Sequence, residues 1–92
     1  MLKIKDNIDL KELEKYGFRY DKVLNKYTKV FDYGFFWRDI DVYIDNPNFK
    51  HREIKAYSSI MTDSIKEEWI ENNIQDLIKA DLVEKVSDSN ER

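Results

Sequence analysis

A chain of 92 residues with 19 acidic and 16 basic side chains, and so a formal charge of −3, is expected to form one domain with one modest core. The two signs are interspersed, which excludes a broad basic field for holding a phosphate backbone. Cysteine is absent, so disulfides and thiolate metal sites are excluded and a reducing, cytoplasmic compartment is favoured. No long apolar run follows Met1, and we therefore expect neither a secretory signal nor a transmembrane helix.

The first helix is predicted at about residues 9–16. Asp9 can cap its start, and Gly17 can supply the left-handed residue that ends it. Glu12 stands three residues after Asp9, as in a capping box. Residues 1–6 before this helix are expected to add an edge strand.

Two short strands are predicted next, and the stretch Phe35 to Tyr57 then has the period-two alternation of a half-buried antiparallel hairpin around an Asn-Pro-Asn turn. The apolar residues of its two strands must meet on the buried face, so Val42 should oppose Ile54. This register places Asp41 opposite Lys55, and we expect the lysine to neutralise that carboxylate. It also places Asp45 opposite His51.

A longer C-terminal helix is predicted after a connector, with Thr62 or Asp63 as its cap. Whether this helix bends near Asn72-Asn73 is not decided by the sequence. A last short strand is expected at 82–86, and residues 87–92 are expected to form a frayed tail. The apolar stripe of the helix consists of Ile70, Ile74, Leu77 and Ile78.

These elements predict a single α+β domain over residues 1–86. Its parts are a short N-terminal helix, an antiparallel sheet of about four or five strands, and a longer C-terminal helix packed on one face. One helix covers only one face of such a sheet. We therefore expect the opposite face, which carries Trp37, Asp39, Asp41 and Tyr43, to be open or half-covered.

An acidic group is the only candidate for catalysis or metal binding. Asp39, Asp41 and Asp45, with His51 and Glu53 nearby, could supply oxygen ligands for a hard divalent cation in a phosphoesterase-like or nuclease-like site. Cross-strand charge pairing is the commoner explanation of such residues. The sequence has one histidine, two glycines and no nucleophile motif, so we expect no enzyme activity, no cofactor and no metal.

Aromatic residues make up 14% of the chain, and in so small a domain some rings must reach the surface. Packing of rings across strands is one explanation, and a partner-binding face is the other, since Tyr and Trp dominate the energetics of interfaces. Stacking on RNA is disfavoured because the adjacent carboxylates would repel phosphate. The candidate partner-binding residues are Tyr33, Trp37, Asp39, Asp41, Tyr43, Tyr57 and Trp69.

Two terminal motifs carry a resemblance. The opening K-D-N-I-D-L-K-E-L-E-K-Y-G-F and the closing D-L-I-K-A-D-L-V-E-K-V resemble small uncharacterised proteins encoded by phages, prophages and other mobile elements of low-GC Gram-positive bacteria. The chain departs from that pattern at Asp81, where the pattern has Gly. The resemblance implies a mobile-element origin and assigns no activity and no functional residue.

The leading hypothesis is a non-enzymatic protein-binding module that occupies a host protein, as an inhibitor of a defence system of the anti-CRISPR kind does. The aromatic and acidic sheet face would carry the binding. A host protein is the expected partner, with no membrane and no nucleic acid involved. The alternatives are the divalent-metal site on the acidic hairpin and a structural homodimer.

Overall fold

The structure is a computed structural model, and it describes residues 1–86. The predicted tail at 87–92 lies outside the described residues. In chain order, the elements are β1 (Leu2–Ile4), a 3-10 helix (Leu10–Tyr16), β2 (Arg19–Asp21), β3 (Lys26–Asp32), β4 (Trp37–Tyr43), β5 (Ile54–Ser58), α1 (Glu67–Asn73), α2 (Gln75–Lys79) and β6 (Val83–Lys85).

The strands form two antiparallel sheets. One has four strands in the order β2-β3-β4-β5, and the other pairs the terminal strands β1 and β6. A single bridge between Lys3 and Glu53 links the two sheets. The register of the central hairpin is as predicted, with Val42 opposite Ile54 and Asp41 opposite Lys55.

The predicted fold was wrong in its helices and in the number of its sheets. Strands predominate, and the C-terminal helix is replaced by two short helices, α1 and α2, separated at Ile74 by a non-helical backbone (φ −128°, ψ 31°). The predicted caps fail because Arg38 donates from Nε and Nη2 to both oxygens of Asp63, each at 2.9 Å. The helix begins only at Glu67, and Lys66 before it has an extended backbone (φ −90°, ψ 155°) and no side-chain cap. The terminal strands pair with each other and do not extend the main sheet.

The N-terminal helix has the predicted ends, although its type is 3-10. Asp9 accepts a hydrogen bond from a backbone amide two residues on, at 3.0 Å. Gly17 adopts a left-handed φ of 92°, and the amide of Phe18 returns to the carbonyl of Leu13 at 3.2 Å. The carboxylate of Glu12 pairs with a lysine one turn later, at 3.0 Å, and so does not complete a capping box.

The core is one cluster of apolar side chains from the inner face of the four-stranded sheet, from β1 and from the helices. Burial of these side chains is the main favourable term in folding. None of the helices in the described part of the chain has the length and apolar character needed to cross a bilayer. The core residues are Leu2, Ile4, Leu13, Phe18, Tyr27, Ile40, Val42, Ile54, Ile70, Ile74, Leu77 and Leu82.

Candidate protein-binding surface

The outer face of the four-stranded sheet carries the side chains that alternate with the core residues. Residues directly opposite each other on adjacent strands share a face, and their Cβ atoms lie about 4.5–5.5 Å apart. The face therefore consists of cross-strand rows whose chemistry differs from one end to the other. The rows are Asp32–Trp37, then Val30–Asp39–Tyr57, then Arg19–Thr28–Asp41–Lys55, and last Asp21–Lys26–Tyr43.

The first two rows form an exposed apolar surface. Val30, Trp37 and Tyr57 are 59%, 52% and 43% exposed, and Phe35, in the turn before β4, is fully exposed. We term these four side chains the apolar end. Asp39 lies among them, directly opposite both Val30 and Tyr57.

The other end of the face is covered by the loop between β4 and β5. The ring of Phe49 stacks on that of Tyr43 with centroids 4.3 Å apart, and Tyr43 is only 7% exposed. The ammonium of Lys26 lies 5.6 Å from the centroid of the same ring. Burial, and after it a hydrogen bond with Tyr57, raise the pKa of the Tyr43 hydroxyl well above its usual value. The outer face is thus half-covered, as predicted.

Asp41 lies under this cover and is fully buried. The Nζ of Lys26 lies 3.1 Å from its Oδ2, close enough for an ion pair but not aligned as a hydrogen bond. The predicted neutralisation of Asp41 by Lys55 was wrong, since the Nζ of Lys55 lies 3.3 Å from the carboxylate of Glu53. Asp41 has a lysine on each neighbouring strand, Lys26 on β3 and Lys55 on β5. The register does not indicate which of the two pairs with Asp41.

Asp39 is two residues from Asp41 on the same side of β4, and its charge is poorly compensated. Its Oδ1 is buried and has no hydrogen-bond partner among residues 1–86. Burial, and then the nearby Asp41 carboxyl, raise the pKa of Asp39 to about 6, while Lys26 has a smaller opposing effect. Near neutral pH the two carboxylates therefore share one lysine, and Asp39 is the member that borders exposed rings.

The remaining candidate residues lie elsewhere. Tyr33 stacks on Phe36, with centroids 5.1 Å apart, in the turn before β4, and Phe36 in turn contacts Arg38 on the inner side of the sheet. Trp69 packs edge-on against Phe31 with centroids 5.4 Å apart, and Arg38 stacks on its ring at 4.9 Å. The structure therefore brings together five of the seven candidates, and these are Trp37, Asp39, Asp41, Tyr43 and Tyr57.

Three residues of this face were missed as candidates. The position of Val30 follows from the alternation in β3, where Tyr27 and Phe31 pack against the core. Phe35 and Phe49 lie in turns, and no periodicity in the sequence indicates where a turn residue points. Phe35 is fully exposed in the turn that precedes Trp37, and Phe49 covers the opposite end of the face.

The acidic residues of the hairpin do not converge on a common site. Asp45 and His51 are not a cross-strand pair, because the ladder ends at Val42 and Ile54, and His51 Nδ1 lies 2.9 Å from the carbonyl oxygen of Ile44. Arg52 has a left-handed φ of 62° that interrupts the strand. Across residues 1–86, no three His, Asp or Glu side chains converge in an arrangement that could hold a metal ion.

Comparisons of the chain with models of protein families, with curated proteins and with solved structures return no match. The resemblance of the terminal motifs to mobile-element proteins therefore stays a prediction. The function of the outer face has to be inferred from its own geometry and charge.

Proposed function

We propose that this chain is a non-enzymatic protein-binding module and that the apolar end of its outer face is the binding surface. The observation that carries the proposal is the exposure of Val30, Phe35, Trp37 and Tyr57 together at one end of a sheet whose other end is covered. Contiguous exposed apolar side chains with polar groups beside them are typical of interaction sites.

The residue types support this assignment. Tyr and Trp supply most of the energy in many protein interfaces, because they bury large areas and lose little conformational entropy. Trp37 and Tyr57 lie on adjacent strands with rigid backbones, so a partner would meet a largely preformed surface. The packing of Phe49 on Tyr43 shows that this face accommodates a ring, and a partner would extend that cover to the exposed end.

We extend the proposal to the origin and role of the protein. The terminal motifs support a mobile element of low-GC Gram-positive bacteria, and a small acidic chain from such an element would act in the host cytoplasm. Occupation of a host defence protein, as anti-CRISPR inhibitors do, is the role that fits a binding surface without a catalytic group. A second copy of the chain is the competing occupant of the same surface.

The test is quantitative capture with matched variants. The full chain is immobilised, exposed to a Gram-positive host lysate, and compared with Trp37→Ala and with Ile78→Ser. Ile78 is 38% exposed on α2, which packs through Leu77 on the core side of the sheet, and so controls for exposed apolar area away from the proposed surface.

We expect one stoichiometric host protein to be retained by the wild type and by Ile78→Ser, with roughly tenfold less on Trp37→Ala, as for an interface anchor. No stoichiometric partner, or equal retention by Trp37→Ala, would refute the proposed surface. Sedimentation equilibrium of the free chain completes the test. A dimer that Trp37→Ala dissociates would replace the host protein with a second copy.

A further inference from the structure

The inner side of the sheet contains a complete arrangement of an aromatic ring, a guanidinium and a carboxylate. The guanidinium of Arg38 stacks on Trp69 at 4.9 Å and donates two hydrogen bonds of 2.9 Å to Asp63. This geometry suits arginine because its planar guanidinium can stack on an aromatic ring and at the same time donate two parallel hydrogen bonds to a carboxylate. The chain itself thus shows how a tryptophan and an aspartate hold an arginine.

The outer side has the same ring and carboxylate without the guanidinium. Trp37 and Asp39 are two residues apart on one side of β4, which separates their Cα atoms by about 7 Å. Tyr57 adds a second ring directly opposite Asp39. The Oδ1 of Asp39 is buried without a hydrogen-bond partner among residues 1–86, so a partner could reach this partly exposed carboxylate only through its other oxygen.

The charge of this end is complementary to a cation. Its two rows contain Asp32 and Asp39 and no basic residue. The basic residues of the face, Lys26, Lys55 and Arg19, lie in the two rows beyond, and the two lysines already pair with carboxylates. A partner that brings a positive charge to Asp39 would therefore meet no competing cation within the first two rows.

We propose that the apolar end binds a protein segment that presents an arginine, whose guanidinium lies against Trp37 and Tyr57 and donates a hydrogen bond to the accessible oxygen of Asp39. This proposal rests on the proposed function and names the chemistry of its partner. Arginine is favoured over lysine because its guanidinium is planar and more weakly hydrated, and so loses less on leaving water to stack on a ring.

The proposal gives binding a pH dependence. The titratable and charged groups that face Asp39 are Asp41 on its own strand, Lys26 from β3 and Tyr57 from β5. A guanidinium requires the ionised carboxylate, whereas Asp39 takes up a proton in mild acid, since burial and the nearby Asp41 carboxyl raise its pKa to about 6. Affinity for arginine should therefore fall as the pH decreases from about 7.5 to about 5.

The test is a titration of the isotope-labelled full chain with N-acetyl-arginine N-methylamide, followed by NMR at the indole N–H groups. The chain has two tryptophans, so Trp69 on the inner side is an internal reference for Trp37. N-acetyl-citrulline N-methylamide is the neutral probe of the same shape. Asp39→Asn removes the proposed acceptor charge, and Asp45→Asn removes one equal charge from the exposed loop after β4.

We expect the arginine probe to shift the Trp37 indole saturably, and the citrulline probe to leave it unchanged. Asp39→Asn should lower the affinity for the arginine probe about tenfold, because a charge-assisted hydrogen bond is lost, and Asp45→Asn should leave this affinity unchanged. Equal shifts with both probes, equal shifts of both indoles, or an unchanged affinity in Asp39→Asn would overturn the arginine assignment. If Trp37-dependent capture of a host protein persisted, the binding surface would stand and only its partner chemistry would be refuted.

Discussion

Trp37 and Trp69 lie on opposite sides of the four-stranded sheet. Trp37 begins β4 on the outer face and is half-exposed, whereas Trp69 packs on Phe31 and under Arg38 at the inner face. The two tryptophans of the chain therefore have different roles, one available to a partner and one built into the fold. The contrast allows function and stability to be separated by matched substitutions.

Trp37→Ala should leave the free energy of unfolding within about 0.5 kcal/mol of the wild type, as for other surface substitutions. Trp69→Ala should lower it by about 2–4 kcal/mol, because it removes a large, partly buried ring and leaves a cavity beside Phe31. Chemical denaturation of both variants measures the difference. Equal losses would mean that Trp37 is part of the core and is not a free anchor.

Asp39→Asn should stabilise the protein at about pH 8 and lose most of that advantage as the pH falls to about 4. The folded-state pKa of Asp39 is raised to about 6 by burial and by Asp41, so the native state binds a proton more readily than the unfolded state between pH 3.8 and about 6. Stability from this carboxyl is therefore present in mild acid and lost as the pH rises through about 6.

Urea denaturation of wild type and Asp39→Asn across this pH range measures the effect, and Asp45→Asn is the control for a change of one charge. An advantage of Asp39→Asn that did not vary with pH would contradict the raised pKa.

Asp81→Gly should raise the free energy of unfolding by about 0.5 kcal/mol. Asp81 has a left-handed φ of 63° after α2, and glycine removes a cost of roughly 1 kcal/mol there. The substitution also removes a 2.7 Å ion pair with Lys5, but Asp81 is 86% exposed and such pairs contribute about 0–1 kcal/mol. Asp81→Ala keeps the strain and loses the ion pair, so it should destabilise. A loss of stability in both variants would argue against this account.

Gly17→Val should be more harmful than Asp9→Ala. Valine in the left-handed conformation costs about 1–2 kcal/mol or more, and its Cβ would lie 3.2 Å from Cε of Lys29. The lost cap at Asp9 typically costs about 1 kcal/mol. Thermal unfolding of the two variants compares these effects, and equal shifts in Tm would show that position 17 tolerates the side chain.

Local patterns predicted the parts of the fold that local physics determines. The hairpin register follows from alternation around Val42, and the left-handed conformation of Gly17 (φ 92°) follows from the preferences of helix ends. The C-terminal helix failed because Arg38, 25 residues earlier in the chain, takes the carboxylate of Asp63 that was expected to cap it. Such a contact depends on tertiary structure and leaves no periodic signal.

For the candidate site, the face on which each side chain lies was likewise predictable from local properties. Alternation along β4 placed Trp37, Asp39, Asp41 and Tyr43 on one face, because side-chain direction in a strand is a local property. Which of them stay exposed was not predictable, since Phe49 comes from a loop to cover Tyr43.

Site-specific photocrosslinking tests the central claim most directly, because it reports contact at one chosen side chain. A photoreactive phenylalanine analogue replaces Trp37 in the full chain, and in a matched variant it replaces Ile78, which is exposed on α2 at the core side of the sheet. After irradiation in host lysate, a single crosslinked protein from position 37 and none from position 78 is the predicted result. The same products from both positions, or none from position 37, would contradict the assignment of the apolar end as a binding surface.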